Sequence, residues 1–150
     1  MKIIIQRVKE ASVTVENKIV SKIEKGVLIL LGIGNEDSIE DIKWLANKIV
    51  NLRIFGEDNG VMNLSLKDVK GEAIIVSQFT LMASTKKGNR PSYIKAAKPE
   101  ISVPLYEQFV KQLEKNLEKK VGTGIFGADM KVQLINDGPV TIAIDSKQKE

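Results

Sequence analysis

Apolar and polar residues alternate over residues 2–8 and again over 11–16, the two-residue period of half-buried strands. Asn17-Lys18 makes a short turn into a further strand over residues 19–23, and residues 26–33 (GVLILLGI) read as a near-continuous apolar strand. The period then changes. Ile39, Ile42, Leu45, Ala46, Ile49 and Leu52 fall on one face of a helix. Ser38 precedes it with Asp41 three residues on, the spacing of a capping box. Residues 53–55 predict a short strand, ended by the turn Glu57-Asp58-Asn59-Gly60.

Further on, residues 73–76 (AIIV) form a short, buried, β-branched strand whose C-terminal end delivers Ser77-Gln78-Phe79-Thr80. Residues 82–101 hold glycine, prolines and lysines without periodicity and read as a long surface loop, a common place for function. Pro104 is placed in the first turn of a second helix, in which Leu105, Phe109, Leu113, Leu117 and Val121 recur every four residues. Gly122-Thr123-Gly124 is expected to end it. Residues 130–135 and 141–144 are final strands flanking the turn Asn136-Asp137-Gly138-Pro139. Strands in neighbouring pairs around two helices favour an α+β fold over a doubly wound sheet, and 150 residues make one domain spanning 1–150.

Composition narrows the chemistry. With no histidine and no cysteine there is no imidazole base, no thiolate nucleophile and no zinc site of the common kinds. Carboxylates, hydroxyls, lysines, backbone dipoles and the substrate's own groups remain. The lack of cysteine suits a reducing cytoplasm, the expected location. No apolar run approaches the roughly 20 residues of a membrane helix, and the N-terminus alternates like a strand rather than a signal core. The net charge of +4 suits an anionic partner, though most lysine-rich surfaces are simply solvated.

Two glycine patterns are set aside. Gly122-Thr123-Gly124-Ile125-Phe126-Gly127 matches the dinucleotide fingerprint letter for letter, but a helix precedes it and a strand follows, the reverse of what pyrophosphate binding needs. Gly32-Ile33-Gly34 lacks the third glycine. No cofactor is expected. Gly138-Pro139 has a plain meaning as a turn and a sharper one as a backbone device, since an X-Pro bond has an accessible cis form. Ser77-Gln78-Phe79-Thr80 has likewise a plain meaning as strand-end capping, against which stands the clustering of two hydroxyls, an amide and an aromatic ring. Thr80 is a conceivable nucleophile without an evident base.

Ser77-Gln78-Phe79-Thr80-Leu81 together with Asn136-Asp137-Gly138-Pro139-Val140-Thr141 resembles the motif pair of the D-aminoacyl-tRNA deacylase family. Further matches span the chain: Ile5-Gln6-Arg7-Val8, Ala11-Ser12-Val13, Arg53-Ile54-Phe55, Met62-Asn63-Leu64, Gly88-Asn89-Arg90-Pro91-Ser92 and Gly124-Ile125-Phe126-Gly127-Ala128-Asp129-Met130. The resemblance implies a single α+β domain, a largely antiparallel, barrel-like sheet carrying two main helices. It implies hydrolysis of D-aminoacyl-tRNA and glycyl-tRNA, with L-amino acids rejected by a clash. It also implies a homodimer in which Ser77, Gln78, Phe79 and Thr80 of one subunit face a cis Gly138-Pro139 of the other. Arg7 would orient that turn, and Phe126 and Met130 would lie near the terminal adenosine. Surface charge for Arg7 and core packing for Phe126 and Met130 are the alternatives. The family offers two mechanisms: Thr80 as nucleophile, or backbone groups polarising the ester while the tRNA's ribose hydroxyl activates water. A non-catalytic RNA-binding module and a dimeric structural protein are the rival functions.

Overall fold

The computed structural model describes residues 1–149. The chain runs β1 (Lys2–Val15), β2 (Lys18–Ile23), β3 (Gly26–Gly32), α1 (Ile39–Asn51), β4 (Phe55–Gly56), β5 (Met62–Leu64) and β6 (Glu72–Ser77). A 3-10 turn (Phe79–Met82), α2 (Pro99–Leu117), β7 (Gly122–Thr123) and β8 (Lys131–Asp145) complete it. The main sheet has the order β2-β1-β3-β6-β7, with β8 on the other side of β1. The β1 pairings with β2, β3 and β8 are antiparallel, while β3–β6 and β6–β7 are parallel. The sheet curls until β2 packs against β6 and β7. The fold is α+β, as expected, with a mixed, nearly closed sheet.

The sheet separates two apolar clusters, and this explains the uninterrupted apolar runs. From β3 and β6, Val27, Ile29, Leu31, Ala73 and Ile75 join the core under the helices. Leu28, Ile74 and Val76 point the other way, into the barrel interior with Val8, Ala11, Val13 and Ile23. Parallel strands covered on both faces need no alternation. From the helices, Leu45, Ile49, Phe109 and Leu113 are buried in the first cluster. Truncating one such side chain to alanine costs about 2–5 kcal/mol.

The two N-terminal strands inferred from the sequence are one. Ile3 and Ile5 face the helices, whereas Ala11 and Val13, of the same parity, face the barrel interior. The pleat changes phase between them, where the register against β8 shifts around Val8. A bulge reverses the faces without ending the strand. The two C-terminal strands are likewise one. Residues before and after Gly138-Pro139 both pair with β1, Val8 opposite Asn136 and Gln6 opposite Thr141. The residues between these pairs leave the ladder opposite Arg7, so the expected turn is an outward excursion of a continuous strand.

The second helix starts earlier than Pro104. Pro99 takes its first position, where the missing N–H is not needed, and Pro104 lies inside it. The lost bond is the one Glu100 would accept, and Glu100 is exposed at the helix start, within reach of water. Its end also comes earlier. Glu118 turns left-handed with φ of 58°, and Gly122-Thr123 form a strand beside β6. Ser38 caps α1 as expected, its N–H donating to Asp41 Oδ2 at 2.8 Å.

Candidate active site

β6 ends at Ser77, opposite Leu31 of β3, and the chain turns at once into the 3-10 turn. The Gln78 N–H donates to the Leu31 carbonyl at 2.8 Å, and the Leu81 N–H to the Gln78 carbonyl at 3.2 Å. These bonds fix the turn on the end of the sheet. Beside it opens a cleft of about 520 Å³. Ser77, Gln78 and Phe79 form one wall and Phe126 and Met130 another. Five of the sequence-derived site residues, Ser77, Gln78, Phe79, Phe126 and Met130, thus meet from segments distant in the chain.

Thr80 joins through a hydrogen bond from Gln78 Nε2 to its Oγ1. An amide takes no proton at neutral pH, so this partner does not activate the hydroxyl as a nucleophile. Among the described residues, Asp129 is the one carboxylate lining the cleft; it is solvated and paired with Lys131 at 2.9 Å. Behind Phe126 stands Tyr106, ring centroids 5.7 Å apart and edge-on. The Tyr106 hydroxyl donates to the Ile75 carbonyl at 2.8 Å. Burial pushes its pKa up to about 12, so it stays a neutral hydrogen-bond donor.

Arg7, Gly138 and Pro139 form a second group, which this chain does not bring into the cleft. The half-buried Arg7 donates from Nε to the Asp137 carbonyl at 2.8 Å and from Nη1 to the Ile54 carbonyl at 2.5 Å. The Asp137 carboxylate lies 3.8 Å away. Arg7 is therefore bonded to the backbone of the excursion and is not a free surface charge. The Gly138-Pro139 bond is cis, and both residues are exposed. Gly138 has φ of +135°, and a Cβ there would lie 2.7 Å from Arg7 Nη2 and 2.9 Å from Val140 Cγ2. Asn136 braces the excursion, its Oδ1 accepting from the Val140 N–H at 3.2 Å.

Sequence reasoning missed several residues. Ala96, Ala97, Pro99 and Ser102 complete the cleft wall, and Tyr93 lies edge-on to Phe79 with centroids 5.0 Å apart. Ser102 went unseen because Pro104 was placed in the first turn, whereas Pro99 as the first residue puts Ser102 on the helix; Tyr106 lay on the expected helix but outside the four-residue repeat that runs from Leu105. No sequence signal marks the Ile54 carbonyl.

The chain matches the family described as D-Tyr-tRNA(Tyr) deacylase over residues 4–145. It is 71% identical to the D-aminoacyl-tRNA deacylase of Flavobacterium psychrophilum and 65% identical to that of Bacteroides thetaiotaomicron, over 100% of each chain. Among solved structures, one described as c-Myc DNA Unwinding Element Binding Protein superposes with a TM-score of 0.90 at 40% identity, covering 97% of this chain and 98% of that one. A probable eukaryotic D-amino acid tRNA deacylase shares the fold, with a TM-score of 0.82 at 17% identity and 95% and 97% coverage. With two full-length relatives this close, and a cleft lined by Ser77, Gln78 and Phe79 of the first motif and by Phe126 and Met130, the chain belongs to the D-Tyr-tRNA(Tyr) deacylase family.

Proposed function

We propose that this chain, a hydrolase by family, cleaves the ester joining a D-amino acid to the 3′ end of tRNA and acts also on glycyl-tRNA. The observation that carries this reading is the meeting of Ser77, Gln78 and Phe79 with Phe126 and Met130 around one cleft. Its volume of about 520 Å³ lies within the range of small-molecule pockets, about 300–1,000 Å³. The terminal adenosine rests against Phe126 and Met130, and the aminoacyl ester reaches the 3-10 turn. The Phe79 and Thr80 N–H groups open that turn and so have no partner within it. They are donors for the ester carbonyl as it gains negative charge.

Water then attacks the carbonyl carbon, the ester C–O bond breaks, and the ribose oxygen leaves with a proton. With no histidine or cysteine in the chain, the tRNA's own ribose hydroxyl assists that water. The hydroxyl of Thr80 and the amide of Gln78 support the turn. No cofactor or metal enters the reaction.

Chiral selection falls to Gly138 and Pro139 of a partner subunit in a homodimer. Their exposure, their rigid tether through Arg7, and their absence from the cleft of their own chain support this assignment. Backbone atoms there bind the amino group and leave no room for an L side chain, so selectivity comes from a clash. Glycine, lacking a side chain, passes. The reaction belongs to the cytoplasm, where aminoacyl-tRNA is made and used; no helix among the described residues is long and apolar enough to cross a membrane.

The test is hydrolysis of D-tyrosyl-, L-tyrosyl- and glycyl-tRNA by catalytic amounts of protein. Repeated turnover of the D and glycyl esters with the L ester spared is expected. Equal cleavage of D and L esters overturns the clash mechanism. Release of no amino acid, with tRNA bound stoichiometrically, makes the chain an RNA-binding module instead.

A further inference from the structure

Between Glu72 and Glu100 the chain contains no aspartate or glutamate, but it contains Lys86, Lys87, Arg90, Lys95 and Lys98. Five positive charges with no carboxylate in the same segment exceed the net charge of +4 for the whole protein. All five residues are exposed, and among the described residues none lies within ion-pair distance of a carboxylate. An ordinary solvated lysine surface looks different here: along α2 and its end, Lys111, Lys115, Lys119 and Lys120 are interleaved with Glu107, Glu114 and Glu118.

The segment is also shaped. Ser84 and Ser92 exchange backbone hydrogen bonds of 2.8 and 2.9 Å, which pinch residues 85–91 into a projecting tip bearing Lys86, Lys87 and Arg90. Its far end is tied to β3 and the turn beyond it: the Ala97 N–H donates to the Ile33 carbonyl at 2.9 Å, and Ala96 and Ala97 line the cleft. Tyr93, 39% exposed, stands edge-on to Phe79 at the cleft mouth. A basic tip, an aromatic ring and the cleft therefore follow one another along one surface. That is the combination by which proteins hold single-stranded nucleic acid, with cations on the phosphates and an aromatic ring against a base.

We propose that residues 84–98 form an arm that tracks the phosphates of the tRNA's single-stranded 3′ end, with Tyr93 stacking on a base that precedes the terminal adenosine; this rests on the deacylase reading above. The arm binds the polynucleotide and leaves the ester chemistry untouched.

The experiment compares the parent protein with a Lys86→Ala/Lys87→Ala/Arg90→Ala variant on two substrates, D-tyrosyl-tRNA and D-tyrosyl-adenosine, across a salt series. Binding of uncharged tRNA is read in parallel by fluorescence anisotropy. At about 0.7 per phosphate, losing three contacts makes the log–log salt dependence of tRNA binding and of kcat/KM shallower by about 2. A fall in kcat/KM of about tenfold or more is expected on tRNA at about 0.15 M salt, with none on D-tyrosyl-adenosine. A control with Lys18→Ala/Lys111→Ala/Lys115→Ala, removing as many charges elsewhere, keeps the parent's values. Unchanged tRNA binding and salt slope overturn the arm, as does an equal loss on both substrates or an equal loss in the control. If the parent hydrolyses neither substrate while the variant alone loses salt-dependent tRNA binding, the arm stands and the deacylase reading falls.

Discussion

Gly138→Ala separates the two demands placed on the Gly-Pro excursion. The first is conformational: φ is +135° at Gly138, a region L residues rarely enter. Holding alanine there costs about 1–3 kcal/mol. The second is crowding, because the new Cβ would meet Arg7 Nη2 at 2.7 Å and Val140 Cγ2 at 2.9 Å. Val140 is held by its N–H on Asn136, so the guanidinium is what yields, loosening its bonds to the Asp137 and Ile54 carbonyls. Hydrogen bonds from a charged donor contribute about 1.5–3 kcal/mol each, so partial loss of one brings the total to roughly 2–4 kcal/mol. For a domain of this size that lowers Tm by roughly 4–16 °C. Gly60→Ala is the matched control, since Gly60 also has a positive φ, +82°, but a Cβ added there would have no neighbour within 4 Å. Differential scanning calorimetry of both variants isolates the crowding as the difference between them. Activity divides them further: Gly60→Ala retains the parent's D-over-L ratio on tyrosyl-tRNA, and Gly138→Ala loses it or loses activity. Equal Tm shifts in the two variants, with equal D-over-L ratios, would refute the claim that Arg7 and Gly138 act as one unit.

Two further outcomes are expected. Thr80→Ala should keep activity within about tenfold of the parent, because its hydroxyl has an amide partner and no base; a D-aminoacyl ester trapped on Thr80 in single-turnover experiments would make it the nucleophile. At Asp41, burial pushes the carboxyl up, but hydrogen bonds from Lys147, Ser146 and Ser38 outweigh it and hold the pKa well below the usual carboxylate range. A depressed carboxylate contributes stability that is fully present above its unfolded value, near 4, and is lost as pH falls through its folded one. The Tm difference between the parent and Asp41→Asn should therefore be constant from pH 7 to about 4 and shrink below that; a difference that stays constant to pH 2 would contradict the assignment.

Most of what positions the site was legible because it rests on local rules. The β-branched run Ala73-Ile74-Ile75-Val76 is a strand, so whatever follows lies at a sheet edge, and there Ser77, Gln78 and Phe79 meet the cleft. Ser38 and Asp41 cap a helix by contacts within four residues. What failed depends on distant partners. The phase change between Ile5 and Ala11 looks like a strand end until β8 is seen running past it. The earlier start at Pro99 brings Ser102 onto the helix and buries it, a position that periodicity from Leu105 onward does not reach. Arg7 meets a carbonyl at Ile54 and another at Asp137, acceptors that every residue carries and no sequence pattern announces.

The pairing of β1 with β8 carries a consequence for synthesis. Lys2 pairs with Asp145 and Thr14 with Lys131, so β1 leaves the ribosome long before β8 and finds that neighbour only when β8 has emerged. Its other edge is covered early by β2 and β3. At about 5–20 residues per second, the remaining edge of the nascent sheet stays open for on the order of ten seconds. During that wait its backbone donors and acceptors are free to pair with another nascent chain. The polar and charged residues Lys2, Gln6, Arg7, Lys9 and Glu10, spread along that strand, make such pairing less favourable, so the sequence of β1 is suited to the interval before folding finishes as well as to the folded protein.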